Sequence, residues 1–332
     1  MNSSFEFLDY LIFVIYALVI LGLGLWVSRN KEGEEKSAED YFLAGKSLPW
    51  WAIGASLIAA NISAEQFIGM SGSGFALGLA IASYEWMAAI TLLIVGKYFL
   101  PIFIEKKLYT IPEFVEKRFS SQLKTILAIF WISLYIFVNL ASVMYLGGLA
   151  LETIIGIDLV YAILGLALFA AAYSLYGGLT AVAWTDIIQV VFLVLGGLVT
   201  TYLALDIVSQ GQGVIEGLKS IYNAAPDRFE MILDKANPEY KNLPGIGVLV
   251  GGLWVANLYY WGFNQYIIQR TLAAKSLEES QKGILFAAGL KLIIPLIVVI
   301  PGIAAYVIVN DPVILSGLGE NSMLNLPAEG KA

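Results

Sequence analysis

Apolar runs of 18 or more residues recur along the whole chain, and they decide the fold class before any motif is read. Each is long enough to cross a hydrocarbon core of about 30 Å. Backbone polar groups in lipid must be satisfied within the protein, and these runs lack the alternation of a barrel, so they are helices. Composition agrees: 59% of the residues are hydrophobic and 14% charged, where a soluble domain carries about 25% charged residues. The expectation is an all-α integral membrane protein, one transmembrane domain over residues 1–332. Its eight spans fall at 9–28, 50–76, 79–104, 123–153, 159–175, 179–207, 245–270 and 280–308. Segment 29–49 is a charged connector, 208–244 a polar loop with Pro226 and Pro238, and 309–332 a polar tail.

The chain has no cysteine and no histidine, which excludes disulfides, thiolate chemistry and histidine acid–base or metal chemistry. A net charge of −7 argues against nucleic-acid partners. The acidic start, "MNSSFEFLD", is a poor signal peptide, so the first run is a retained span. With the N-terminus outside, the inner loops collect thirteen of the nineteen Lys and Arg residues and the outer loops five; Lys291 falls inside a span. The positive-inside rule then supports an N-out orientation and an even span count. Arg270 reads as an inner-side anchor, and Trp50 and Trp51 as part of an interfacial aromatic belt.

Three polar clusters interrupt the apolar runs. "SLIAANISAEQFIGMSGSG" (56–74) has capping-box form at Ser63–Gln66, a helix start in mid-span. One helix then stops near Ala59–Ile62 and another begins at Ser63, with Gly69, Gly72 and Gly74 permitting tight packing. Broken helices at membrane depth hold substrates and coupling ions in transporters. The plainer alternative is an unbroken helix packed by small residues. "SYEWMAA" sets Glu85 inside a span, a functional candidate by default or else a partner for the cation Lys291. In "GGLWVANLYYWGFNQYIIQR", Asn257, Tyr260, Trp261, Asn264 and Gln265 share one helical face. Amides beside rings suit a polyhydroxylated ligand, since amides pair with hydroxyls and a ring covers the C–H face of a sugar. An interhelical hydrogen-bond seam is the alternative. Gly251, Gly252 and Gly262 allow a second interruption, Gly177-Gly178 marks a turn between spans, and Asp186 either pairs locally or stands beside an ion route.

Together "DYFLAGKSLPWW", "AANISAEQFIGMSGSG", "SYEWM", "YSLYGGLTAV" and "LWVANLYYWGFNQYIIQR" resemble the sodium/solute symporter family, in particular its bacterial sodium–glucose/galactose branch, from about residue 9 onward. The resemblance implies a LeuT-type inverted-repeat fold with an extra N-terminal helix. It implies a sodium-coupled sugar symporter of the cell (inner) membrane, with sugar, sodium and lipid as partners and no enzymatic activity. By that likeness Asn61, Gln66, Glu85, Asn257 and Lys291 bond sugar hydroxyls. Tyr260 stacks on the ring as an inner gate beside Trp261, and Met70 and Tyr84 close the outer side. The carbonyls of Ala59 and Ile62 supply part of a sodium site, and Asp186 lines the ion's exit. Two departures stand out. Ala88 occupies a position usually held by serine, and family members continue through several helices beyond Ala332. The second repeat is therefore incomplete, and we expect the chain to be part of a longer transporter.

Two other readings fit the residues. One is a sodium symporter for another small solute; a carboxylate substrate would sit badly beside Glu65 and Glu85. The other is a sugar-binding sensor that does not transport. An intramembrane enzyme would have only Glu65 and Glu85 as a carboxylate pair.

Overall fold

The computed structural model of the protein describes residues 6–29, 37–243 and 245–317, with the side chains of Ala64 and Glu65 outside the described set. The described residues are helical, with one isolated β-bridge between Leu48 and Ala274. Six described helices are long and apolar enough to cross a membrane. The count is lower than the eight predicted spans because neighbouring spans run on as one helix. Spans 159–175 and 179–207 join in Leu159–Val208, and the end of 50–76 joins 79–104 in Gln66–Glu105. Each joint is nonetheless a turn. Gly178 departs from helical geometry at φ 60° and ψ −149°, and Gly78 opens a 3₁₀ stretch at φ 75°. A Cβ at Gly178 would strike the carbonyl of Tyr41, so close approach as well as dihedral angle requires glycine there.

The short helices around the spans are stopped and started by ordinary capping chemistry. Ser37 and Asp40 form a capping box for Ala38–Leu43, Thr110 caps Ile111–Arg118, and Ser120 caps Ser121–Leu134. Gly156, left-handed, ends Ala141–Ile155.

The chain divides into two compact units. One comprises Met1–Gly69, Tyr84–Leu193 and Gly247–Ile293; the other comprises Met70–Ser83, Val194–Ile246 and Ile294–Ala332. The part of helix Leu277–Asn310 that belongs to the second unit, from Ile294 onward, carries Pro295 and Pro301, which remove two ladder hydrogen bonds. Hydroxyls from neighbouring helices serve carbonyls beside them. Thr201 donates to Leu296 at 3.0 Å and Ser71 to Val298 at 2.9 Å. Gly74 lies so close to Val299 that an added Cβ would sit 2.7 Å from its carbonyl oxygen. Gly69 and Gly72 do not share that packing role, because a Cβ at either would meet nothing within 4 Å.

The first unit contains both predicted interruptions. Trp50–Asn61 ends at Ile62, which is extended (φ −92°, ψ 91°), and Ala64–Leu77 follows. The second run is helical over Leu253–Leu258, turns through a π-turn at Tyr259–Phe263, breaks at extended Asn264 (φ −79°, ψ 120°), and resumes as Gln265–Leu272. The single helical face expected from Asn257 to Gln265 is therefore absent. A π-turn changes the residues per turn, and the extended residue resets the register.

Candidate functional site

The two breaks bring polar side chains of the first unit into one network. Asn61, the last residue before the first break, donates from Nδ2 to the Tyr260 hydroxyl at 3.0 Å. Its Oδ1 accepts from the Lys291 ammonium. Lys291 pairs with Glu85 Oε2 at 2.6 Å, and Gln66 Nε2 donates to Glu85 Oε1 at 2.7 Å. Lys291 is 0% and Glu85 3% exposed, so water cannot stand in for either partner. The ammonium also lies 5.1 Å from the centre of the buried Trp261 ring, close enough for a cation–π contact. Trp261 meets Tyr260 edge-on at 5.1 Å, and the Tyr260 and Tyr266 hydroxyls are 2.9 Å apart. Asn61, Gln66, Glu85, Tyr260, Trp261 and Lys291 thus converge on one place, although they come from four stretches of sequence.

A cavity of about 740 Å³ opens on one side of this network, lined on that side by Asn61, Ser63, Gln66, Tyr260 and Tyr266. Its volume is in the range of small-ligand pockets, about 300–1,000 Å³. Ala59 and Ala60 contribute the backbone wall at the end of the first half-helix. Ile62 is extended, which takes its carbonyl out of helical alignment, the arrangement in which oxygen ligands can meet a cation.

The remaining predicted residues fall elsewhere. Asn257 is buried, and its amide nitrogen donates back to the Leu253 carbonyl at 3.0 Å. Met70 is buried in the second unit, whereas Tyr84, in the first, is exposed. Asp186 is buried, accepts from the Ser56 hydroxyl at 2.5 Å and lies 3.5 Å from Arg270 Nη2. Arg270 is itself 8% exposed, donates from Nε to Ser56 Oγ at 2.8 Å and from Nη1 to the Tyr266 carbonyl. It is therefore a buried counter-ion of Asp186, not an interfacial anchor; its position at the end of an apolar run hid a partner 84 positions upstream. The Glu65 side chain lies outside the described residues.

Tyr266, Ser56 and Tyr135 also belong to the site's surroundings and were not singled out by sequence. Tyr135 donates to Asn264 Oδ1 at 2.8 Å, and Gln265 accepts from the Ile111 amide at 2.8 Å. Away from the membrane spans, Tyr109 donates to Glu39 at 2.8 Å and Lys46 pairs with it at 3.3 Å. The Tyr109 hydroxyl and then Lys46 hold the Glu39 carboxyl below the usual carboxylate range.

Interrupted membrane helices whose breaks carry a buried polar network and a ligand-sized cavity are an architecture found in secondary transporters. The model of the sodium:solute symporter family matches residues 41–324, and the chain belongs to that family. It is 72% identical over 331 residues to the sodium/glucose cotransporter of Vibrio parahaemolyticus, covering 100% of this chain and 61% of that protein. It is 35% identical over 321 residues to the human sodium/myo-inositol cotransporter 2, covering 92% of this chain and 46% of that one. A solved substrate-bound, outward-open structure of a Na⁺-coupled sialic acid symporter superposes with a TM-score of 0.78 at 25% identity, over 92% of this chain and 61% of its own. The chain thus spans less than two thirds of these relatives. The match supports the expected all-α LeuT-type transporter fold and a multi-pass membrane protein.

Proposed function

We propose that the protein is a sodium-coupled symporter for a neutral sugar of the glucose or galactose type, working by alternating access in the cell (inner) membrane with its N-terminus outside. The whole chain then serves as one transporter domain. The observation that carries the reading is the Asn61–Lys291–Glu85–Gln66 network beside the cavity. Every polar group in it has a partner, its one carboxylate is balanced by one ammonium, and amides and hydroxyls dominate. A neutral polyol can exchange hydroxyls for these bonds one by one, whereas a charged solute would upset the balance. The relatives named for glucose and myo-inositol support the same class, since both solutes are neutral cyclic polyols.

In this mechanism Asn61, Gln66, Glu85, Asn257 and Lys291 bond the sugar, and Tyr260 covers its ring on the inward side with Trp261 behind. Met70 and Tyr84 close the outward side. Sodium, the co-transported ion, binds at the first break through the carbonyls of Ala59 and Ile62, and leaves past Asp186. A membrane potential of 100 mV supplies about 2.3 kcal/mol per charge, roughly 40- to 50-fold accumulation.

Sugar uptake into proteoliposomes, with the protein expressed from its full reading frame, tests the reading. A sodium gradient should drive accumulation, and a pH gradient in sodium-free buffer should not. Equal uptake under both would sink the sodium assignment.

A further inference from the structure

The helix that closes the cavity opposite the two breaks contains a polar residue that the reading above leaves without a role. Residues Tyr135, Ile136, Asn139, Leu140 and Val143 form that wall. Ser121–Leu134 and Ala141–Ile155 are joined by a π-turn at Tyr135–Leu140, so this stretch is wound by i→i+5 bonds. Such winding stacks residues four and five apart, which turns Tyr135, Asn139 and Leu140 to the same side. Asn139 lies near the middle of the apolar span Ser121–Ile155.

An amide at that depth needs partners, and the other asparagines beside the breaks have them. Asn61 bonds Lys291 and Tyr260, Asn257 bonds Leu253, and Asn264 bonds Tyr135. Among the described residues, Asn139 makes no hydrogen bond to the protein, yet it lines the cavity. Asn139 is half-buried on the cavity wall, so its amide is free to bond a ligand held there. Among the described residues no Asp, Glu, Lys or Arg lines the cavity; its polar walls there are amides and hydroxyls, and its rings are Tyr135, Tyr260 and Tyr266. That chemistry suits a neutral polyhydroxylated ligand.

We propose that Asn139 is a further sugar-binding residue, reading one hydroxyl of the substrate from the wall opposite Asn61 and Tyr260. It lines the same cavity as Asn61, Gln66 and Tyr260, to which the reading above gives sugar contacts. The inference rests on the sugar reading above and extends it.

The test is equilibrium binding of labelled hexose to purified Asn139→Leu and Asn139→Ala proteins, normalised to folded protein, with a series of monodeoxy sugars as competitors. Losing one neutral hydrogen bond should weaken binding about 2- to 12-fold. One deoxy sugar, lacking the hydroxyl that Asn139 reads, should bind wild type and variants equally. A purely structural role would weaken all sugars alike, and that pattern overturns the proposal. Unchanged affinity in both variants, with the wild type binding hexose, overturns it while leaving the sugar reading intact. A wild type that binds no hexose overturns both.

Discussion

Two buried ion pairs lie within the first unit, and they are built differently. Lys291 and Glu85 touch directly at 2.6 Å, and amides take up the remaining capacity of both ions. Arg270 and Asp186 stand 3.5 Å apart with the Ser56 hydroxyl between them, bonded to each. The first pair carries an ammonium, a compact charge with three rotatable donors; the second carries a planar guanidinium whose fork fixes direction. The difference suits different tasks. A pair surrounded by amides can trade its bonds with a ligand's hydroxyls without leaving a bare charge. The forked pair ties Ser56, before the first break, and Tyr266, after the second, to the helix of Asp186, so its geometry holds three elements in register.

The largest expected effect breaks the direct pair. Lys291→Met leaves Glu85 ionised and buried with no cation, which should cost about 3–5 kcal/mol of stability. Adding Glu85→Gln removes the orphan charge and should recover most of that loss, while sugar binding stays absent. Thermal unfolding in detergent, read beside sugar binding for both proteins, checks this; a double variant no more stable than the single one would refute the charge-pair account.

A smaller effect tests the bridged pair. Arg270→Lys keeps the charge but cannot reach Ser56, Asp186 and the Tyr266 carbonyl at once, and should cost about 1–3 kcal/mol. Ser56→Ala should weaken the wild type but add little to the lysine variant, because both remove the same bridge. Additive losses in the combined protein would show that the hydroxyl and the guanidinium act separately.

The smallest effect comes from an exposed pair that sharpens the contrast with the buried ones. Glu39 is held below its ordinary value of 4.5 by Tyr109 and Lys46. A depressed carboxyl contributes stability above pH 4.5 and loses it as the pH falls through the lower folded value. Glu39→Gln should therefore be slightly less protected than wild type from proteolysis near residues 38–46 at pH 7. That gap should close on acidification; a gap independent of pH would assign Glu39 a purely packing role.

Much of the site was legible because membrane burial makes polar residues conspicuous. Asn61, Gln66, Glu85 and Lys291 each interrupt an apolar run, and a group that is expensive in lipid announces itself in sequence. Arg270 and Asn139 were equally polar but were misread or passed over. Arg270 sat at a span end, where a charge needs no explanation. Asn139, in "SLYIFVNLASV", was one amide in a long span with no neighbour to form a pattern.

What the sequence by itself determined is the helical membrane class, the approximate spans and the two interruptions. These depend on local quantities: run length, capping residues and glycine placement. Only the tertiary structure decided which polar groups meet. Asn61 and Lys291 are 230 positions apart, and Asp186 and Arg270 belong to spans that no periodicity links. The face from Asn257 to Gln265 was lost for the same reason. A π-turn and one extended residue rotate side chains by amounts that local pattern does not encode, because packing against neighbouring helices selects them.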